Sequence, residues 1–354
     1  MKVDGMKADG SMPDPGRYRV ALAGYYGFGN FGDELLAEAA IAALSRCGVG
    51  RREIVLLSGA PEETSRRFGV EAVNRWDLLK VARALRRSDT LLLGGGGLFQ
   101  DASSRRSCLY YWGLVRLACF CGAVPGALGQ SVGPLSGALG RWMTRDALRR
   151  CRVVQVRDEV SRGLCNDLGV SVETGCDPAF SLGEFFSFRP SSSSVSGPRK
   201  ILINLRPCAG KLPERFARAL AERLSESQGR EEPVGLALSD EDAGVMTALI
   251  ERKILPPMPL ERIDRGADAL RLWRNASEAW GMRLHFAVLS SLMGAPMGVA
   301  PYDPKVQSFA DRYGVPVWRE GKLPKPRPAV GTPPPDAARW EIDAICRSLL
   351  TPDF

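Results

Sequence analysis

Short apolar segments alternate with longer amphipathic stretches along most of the chain, and this alternation predicts the secondary structure. Tyr18–Ala23 is an apolar run that ends at Gly24, and the Ala- and Leu-rich residues 33–46 after it have helical spacing. The same order of strand, turn and helix recurs as far as about residue 177. Such an order is typical of a parallel sheet with helices on both faces. The pattern therefore predicts a doubly wound α/β domain.

Two shifts in composition divide the chain. Four consecutive serines flanked by proline and glycine predict a linker, and the strand–helix order starts again after it. Lys322–Pro335 holds six prolines and predicts an extended crossing before a last helical pattern. The predicted organisation is a flexible tail at residues 1–17, a first α/β domain at 18–188, a linker at 189–199, a second α/β domain at 200–320, and a crossing with a terminal helix at 321–354. Two Rossmann-like domains with a terminal helix that returns to the first are typical of a GT-B-like arrangement.

Composition limits the chemistry. The 354 residues are 45% hydrophobic, enough for two cores. Nine scattered cysteines with no CxxC pair, and a single histidine, predict neither a disulfide framework nor a zinc site, so we expect no metal and no cofactor. The first sixteen residues lack the apolar core of a signal peptide, and we expect a cytoplasmic protein.

The net charge of +8 comes mostly from arginines, notably at residues 83–87 and 141–152. Such a surface suits anionic substrates, diphosphate-linked lipids or peripheral contact with the anionic inner face of a membrane. Nucleic acid is not an expected partner, because aromatic residues are not interleaved with the basic ones. The alternative is an ordinary solvated surface of an Arg-rich protein.

The only histidine is the first candidate for proton transfer. His285 is the one side chain whose unperturbed pKa lies between about pH 5 and 8. Arg283 and His285 lie where a predicted strand ends and a predicted helix begins, and Lys305 follows the next predicted strand in the same way. Phosphates and substrates bind at such turns in open α/β sheets. The sequence predicts that these three residues lie together at one edge of the sheet. The alternative for His285 is a structural role, in which its ring only forms a local hydrogen bond.

A glycine loop follows the first predicted strand and leads into a helix. Gly27, Gly29 and Gly32 fit the G-x-G-x-x-G pattern, which is weak evidence by itself. Asp33 at the helix start would repel a pyrophosphate, so we expect the loop to receive hydroxyl groups, with Asp33 as a candidate base. Helix capping is the alternative role for Asp33.

Further candidates lie at other strand ends. Gly94–Gly97 expose bare backbone, and we favour close approach of a ligand over tight packing as the reason. Polar residues at comparable positions are Gln100, Asp101, Gln130 and Asp177. Asp177 is a second candidate base, with turn stabilisation as its alternative.

Several motifs in order make a family resemblance specific. The chain contains GYYGFGNFGDE, LLGGGGLFQD, GQSVGPL, RDEVS, CDPAF, GMRLH and YDPKV. Together, over roughly residues 18–315, they resemble the bacterial polysaccharide pyruvyl transferase family, in particular its branch acting on cell-wall polysaccharide. Cys208, where an aromatic residue would be expected, departs from that pattern.

The resemblance implies an activity and roles for several residues. It implies a GT-B-like fold and transfer of pyruvate from phosphoenolpyruvate, a co-substrate, onto two hydroxyls of a sugar as a ketal. It further implies a lipid-linked acceptor containing N-acetylmannosamine, and functional roles for His285 and Lys305.

The chemistry of such a transfer assigns the remaining candidates. Fixed positive charge for phosphoenolpyruvate would come from Arg206, Arg283 and Lys305. His285 would steady the departing phosphate or supply a proton as the acid, and Asp33 or Asp177 would act as the base, with Asp33 preferred. The candidate acceptor-binding residues are Gly29, Asn30, Gly95, Gly96, Gln100, Asp101 and Gln130.

Two other functions stay open from the sequence. A nucleotide-sugar glycosyltransferase of the same architecture would also use arginines and glycine loops. A non-catalytic protein that binds polysaccharide or lipid diphosphate is the other.

Overall fold

The computed structural model describes residues 16–101, 105–183, 198–227 and 229–351, and these residues form two compact α/β units. Unit 1 contains Leu36–Ser181, the chain before Gly29 and the chain from Asp336 onwards. Unit 2 contains Gly29–Leu35 and Leu182–Pro335. Most of the predicted linker lies outside the described residues.

Each unit is built on one parallel sheet. The strands of unit 1 are β1 (Tyr18–Ala23), β2 (Ile54–Ser58), β3 (Glu71–Asn74), β4 (Ser88–Leu93), β5 (Gly96–Phe99), β6 (Val124–Val132), β7 (Val154–Val156) and β8 (Glu173–Thr174), in the order β3-β2-β1-β4-β6-β7-β8, with β5 paired to β6. The strands of unit 2 are β9 (Arg199–Asn204), β10 (Glu231–Ala237), β11 (Leu260–Arg262), β12 (Ala276–Gly281) and β13 (Met297–Val299), in the order β11-β10-β9-β12-β13. The strand order reverses next to β1 in unit 1 and next to β9 in unit 2, as doubly wound folds require.

Helices connect successive strands. They are α1 (Phe31–Arg46), α2 (Pro61–Phe68), α3 (Leu78–Arg86), α4 (Arg105–Phe120), α5 (Ala138–Leu148), α6 (Glu159–Asp167), α7 (Leu212–Glu226), α8 (Asp240–Glu251), α9 (Gly266–Trp273), α10 (Leu284–Leu292), α11 (Pro304–Tyr313) and α12 (Pro335–Leu350). Within the described residues, no helix is long and apolar enough to cross a membrane.

The apolar runs are continuous because both faces of the first sheet are covered. Leu91 and Leu93 of β4 point into a core with α3, α4, α5 and α6, whereas Leu92 between them points into a core with α1 and α12. The terminal helix therefore packs in unit 1, where Leu349 fills the space beside Gly126. Unit 2 has its own core around Phe216, Trp280 and Trp318.

Two segments are grouped differently from the sequence-based domains. The Pro-rich residues before α12 belong to unit 2, because Arg327 and Met297 exchange backbone hydrogen bonds at the edge strand β13. Gly29–Leu35 also belong to unit 2, although the sequence placed them in the first domain. There the backbone N–H of Phe31 donates to the carbonyl of Leu238 at 2.9 Å.

Candidate functional site

Three neighbouring strands of the second sheet end at the same level. Gly281 of β12 pairs with Asn204 of β9 and with Val299 of β13. Because the strands are parallel, the segments that follow them leave from one edge of the sheet. The three cationic residues that the sequence assigns to an anionic donor lie in these segments: Arg206, Arg283 and Lys305.

Arg283 forms a buried ion pair with Asp242. Its Nε and Nη2 donate to the two carboxylate oxygens at 2.6 and 2.7 Å, and Nη2 also donates to Oγ of Ser239 at 2.6 Å. Burial opposes the charged guanidinium, but the hydrogen bonds and charge of Asp242 outweigh it and raise the pKa of Arg283 above its ordinary value. Asp242 is completely buried and also accepts from Nδ2 of Asn204 at 3.2 Å. Much of the positive charge of Arg283 is therefore balanced within the fold.

The ion pair fixes the start of the helix that carries the histidine. The backbone N–H of Arg283 donates to Oδ1 of Asn204 at 3.1 Å, and Arg283 is the N-cap residue of α10. His285 lies in the first turn of α10 and is half-buried. A Cβ on Gly32 would come 2.1 Å from its Nδ1 and 2.8 Å from its Cγ. The imidazole is thus held by the helix and by close contact with Gly32.

The start of α1 brings a carboxylate into the same unit. Nδ2 of Asn30 donates to Oδ2 of Asp33 at 2.6 Å, and the N–H of Gly32 donates to Oδ1 of Asn30 at 3.3 Å. The charge of Asp33 contributes to the raised pKa of Arg283, so the two groups lie within electrostatic range. Gly29 just before has φ +67°, which favours glycine. The turn thus presents Asp33 near the carboxyl edge of the second sheet.

Arg206 is positioned by an aromatic ring. Its guanidinium carbon lies 4.1 Å from the ring centroid of Tyr302, and Nη1 donates to the tyrosine hydroxyl. A guanidinium stacked in this way keeps its charge and its donor geometry. Arg206 is half-buried.

Lys305 lies in the first turn of α11. Oδ1 of Asp303 caps that helix by accepting from the N–H of Lys305 at 2.9 Å, and Nζ of Lys305 is 3.4 Å from Oδ2 of Asp303. The ammonium group is half-buried with its charge partly shared. The N-cap residue of α10, Arg283, makes no side-chain capping hydrogen bond to that helix.

Asp177, the other candidate base, lies in unit 1 and holds an ion pair. Its Oδ2 is 2.7 Å from Nη1 of Arg157, and both side chains are almost fully buried. Its Oδ1 accepts from the N–H of Ala179 at 2.9 Å. Arg157 also donates to Oγ of Ser131 at 2.8 Å. The carboxylate of Asp177 therefore holds the buried Arg157 and the turn at Ala179, which matches the alternative role of turn stabilisation.

Two of the four glycines after β4, Gly94 and Gly95, are closely packed. A Cβ on Gly94 would meet the Tyr26 hydroxyl at 2.2 Å, and one on Gly95 would meet the Leu128 carbonyl oxygen at 3.3 Å. Gly95 and Gly96 both have φ +97°. These contacts favour tight packing over the close approach of a ligand that we expected.

Two of the polar candidates beside these glycines, Gln130 and Asp101, form hydrogen bonds within unit 1. Nε2 of Gln130 donates to the carbonyls of Leu93 and Leu128 at 3.1 Å each, and Gln130 is completely buried. Asp101 accepts from the N–H groups of Ser136 and Gly137 at 2.8 and 2.9 Å, which anchors the start of α5. Gln100 next to it is half-buried.

Sequence reasoning did not assign roles to Gly32, Asp242, Tyr302 or Arg157. Tyr302 and Arg157 lie in motifs that were recognised, YDPKV and RDEVS. Asp242 had only a weak signal, an acidic residue in the first turn of a helix. The described residues contain no group of three or more His, Cys, Asp or Glu side chains that could hold a metal ion.

Comparison with known proteins finds one family and a set of similar folds. A profile described as "Polysaccharide pyruvyl transferase" matches residues 30–304. Comparison with curated protein sequences finds no match.

The solved structures with a similar fold are distant in sequence. A UDP-N-acetylglucosamine 2-epimerase superposes with a TM-score of 0.57 at 10% identity, covering 86% of this chain and 84% of that one. A putative UDP-N-acetylglucosamine 2-epimerase from Listeria monocytogenes superposes with a TM-score of 0.57 at 9% identity, covering 94% of this chain and 91% of that one. A glycosyltransferase from Rickettsia africae superposes with a TM-score of 0.53 at 10% identity, covering 94% of this chain and 91% of that one. The likeness confirms the predicted fold class of two Rossmann-like, GT-B-like α/β units.

Proposed function

Because this chain belongs to the polysaccharide pyruvyl transferase family, we propose that it moves pyruvate from phosphoenolpyruvate onto two hydroxyls of a hexosamine in a lipid-linked precursor of cell-wall polysaccharide. The observation that carries the proposal is the convergence of Arg206, His285 and Lys305 at the carboxyl edge of the second sheet. In this proposal N-acetylmannosamine is the acceptor sugar.

The charges at this edge suit a small donor that carries two anionic groups. Phosphoenolpyruvate presents a phosphate and a carboxylate, and each needs fixed positive charge or N–H donors. In this proposal the stacked guanidinium of Arg206 and the ammonium of Lys305 supply them. Arg283, paired with Asp242, contributes by fixing α10 and adds less net charge than the sequence implied.

The proposed reaction needs an acid and a base but no redox step. His285 protonates C3 of phosphoenolpyruvate, which turns the methylene into a methyl group and makes C2 electrophilic. A sugar hydroxyl forms a C–O bond to C2, the C2–O bond to phosphate breaks, and phosphate leaves with that electron pair. The second hydroxyl then bonds to C2 and closes the ketal. One hydroxyl proton replaces the proton given by His285, and the other leaves with phosphate.

Asp33 is the proposed base for the attacking hydroxyls. Its carboxylate lies in the same unit as His285, and the imidazole packs on Gly32, the residue before it. Asn30 donates to Asp33 and orients it. Gly29 and Asn30 are the proposed acceptor contacts, because Gly95, Gly96, Asp101 and Gln130 are engaged in packing, strand pairing or hydrogen bonds within unit 1.

Acceptor-dependent release of phosphate from phosphoenolpyruvate tests the proposed function. The assay would use synthetic hexosamine diphospholipids, with and without a free pair of hydroxyls suited to a cyclic ketal. We expect phosphate only with the diol acceptor. Release of a nucleoside diphosphate from a sugar nucleotide, with no use of phosphoenolpyruvate, would instead assign a glycosyltransferase. Acceptor binding with neither product would mean a binding protein.

A further inference from the structure

Three of the four helices on one face of the first sheet, α3, α4 and α5, pack side by side. Val81 of α3, Tyr111 of α4 and Ala147 of α5 are buried in the same core against that sheet. α4 packs beside both α3 and α5, and Trp112 of α4 meets Trp142 of α5 with ring centroids 5.5 Å apart. The opposite sides of the three helices therefore make one continuous surface, called here the α3–α5 face.

The exposed stripe of α4 alternates basic and apolar residues. Arg106, Leu109, Arg116 and Phe120 recur at helical spacing and are all exposed. Phe120 is 80% exposed and Leu109 is 54% exposed, although large apolar side chains are usually buried.

The two neighbouring helices repeat this composition. Exposed Leu78 and Leu79 lie beside exposed Arg83 and Arg86 on α3. On α5, Leu139 and Trp142 are exposed and lie near exposed Arg145. Apolar residues therefore project from all three helices, each time with arginine nearby.

The charge of the α3–α5 face is one-sided. α3 and α4 contain no acidic residue in their sequences, and α5 contains only Asp146. Asp146 accepts from Nε1 of Trp112 at 2.8 Å and lies 3.3 and 3.1 Å from Arg116 and Arg150. The basic residues of the three helices are Lys80, Arg83, Arg86, Arg105, Arg106, Arg116, Arg141 and Arg145.

The other helical layer of unit 1 lacks this combination. Among the described residues of α1, α2 and α12, Trp340 is the large apolar side chain that is exposed. Those helices also mix acidic residues, such as Glu62, Glu63 and Asp336, with basic ones. This combination therefore distinguishes the α3–α5 face from the opposite helical layer of the unit.

We propose that the α3–α5 face docks on the surface of an anionic lipid bilayer. Leucine, phenylalanine and tryptophan side chains would enter the region between head groups and acyl chains, while arginines contact anionic head groups. A nucleic acid would use the positive charge but not the aliphatic leucines, so the combination fits a bilayer better. Docking does not depend on the reaction; only its use, bringing the enzyme to a lipid-borne acceptor, rests on the proposed function.

Co-sedimentation with vesicles tests the docking. Vesicles of phosphatidylcholine alone are compared with vesicles of equal parts phosphatidylcholine and phosphatidylglycerol, at low and high salt. We expect binding to the anionic vesicles that weakens as salt screens the arginines. The variant Arg83→Gln, Arg86→Gln, Arg145→Gln should lower the partition coefficient at least about tenfold, since each basic residue near an anionic surface contributes substantially. The variant Leu79→Ser, Phe120→Ser, Leu139→Ser should lower it to a similar extent.

A matched control uses the other layer of the same unit. The variant Trp340→Ser, Arg66→Gln, Arg347→Gln removes one exposed aromatic and two exposed arginines from it. It should bind anionic vesicles to within about twofold of wild type. All variants should keep the wild-type urea midpoint and turn over a short water-soluble acceptor normally. Equal binding to both vesicle types, absence of binding, an equal loss in the control, or a dimer that the α3–α5 variants abolish would each overturn the proposal.

Discussion

The imidazole of His285 lies directly against the backbone of Gly32, with Nδ1 2.1 Å from where a Cβ on Gly32 would stand. Gly32 lies beside Asp33 in the first turn of α1, and His285 lies in the first turn of α10. The contact therefore joins the proposed acid to the turn that carries the proposed base, and both belong to unit 2.

Gly32→Ala should disable the site by displacing the imidazole. A methyl group at this position must push the ring or the start of α1 aside, and overpacking costs about 1–3 kcal/mol. We expect the turnover rate, measured by phosphate release, to fall strongly. The free energy of unfolding, measured by urea titration, should fall only by the cost of overpacking. Gly244→Ala is the matched control, because Gly244 is exposed in α8 with no atom near the added Cβ. Gly244→Ala should stabilise the protein by about 0.5–1 kcal/mol and leave turnover unchanged. Normal turnover in Gly32→Ala would mean that the position of the His285 ring is unimportant.

Asp242→Asn should strongly destabilise unit 2. The substitution leaves the buried Arg283 guanidinium without a counter-charge, and breaking a buried pair in this way costs about 3–5 kcal/mol. The exposed pair Arg271–Glu261, with N–O distance 3.0 Å, provides the comparison. Glu261→Gln should cost at most about 1 kcal/mol. Equal losses in urea unfolding would show that Arg283 does not depend on Asp242.

Lys305→Met should weaken binding of phosphoenolpyruvate. A hydrogen bond to a charged group contributes about 1.5–3 kcal/mol, so we expect the KM for phosphoenolpyruvate to rise about tenfold to a hundredfold. Lys322→Met is the control, since Lys322 pairs with Glu226 on the surface of the same unit. The control should leave KM unchanged. An unaltered KM in Lys305→Met would remove this residue from the donor site.

Asp177→Asn should act on stability first. Its partner Arg157 is almost fully buried, and the loss of the counter-charge should cost about 3–5 kcal/mol of unfolding free energy. Asp33→Asn, by contrast, should lower kcat with little effect on the urea midpoint. If Asp177→Asn folded normally but lost turnover, Asp177 rather than Asp33 would be the better candidate base.

The edge that holds Arg206, Arg283 and Lys305 could be predicted because it depends on local order. An apolar run followed by a turn and a helix marks a strand end, and parallel strands end on one side of their sheet. The predicted strand at Tyr18–Ala23 coincides with β1, and the helical pattern at residues 33–46 covers all of α1 except its first two residues.

What the sequence could not provide were contacts between distant segments. Gly29–Leu35 join unit 2 through the hydrogen bond from Phe31 to Leu238, and no local pattern encodes it. The pairing of Arg283 with Asp242 likewise depends on how α8 and α10 meet. The glycines after β4 were assigned to a ligand because the ring of Tyr26, which fills the space beside Gly94, is far away in sequence.

The most direct measurement of the central claim is the reaction in D₂O with phosphoenolpyruvate and a hexosamine diphospholipid acceptor. The account predicts a product heavier by a pyruvate ketal whose methyl group carries deuterium from solvent, with phosphate released in equal amount, and no such product from a normally folded His285→Gln variant. A product formed at the wild-type rate by His285→Gln, or phosphoenolpyruvate left intact by the wild-type protein with every diol acceptor, would contradict it.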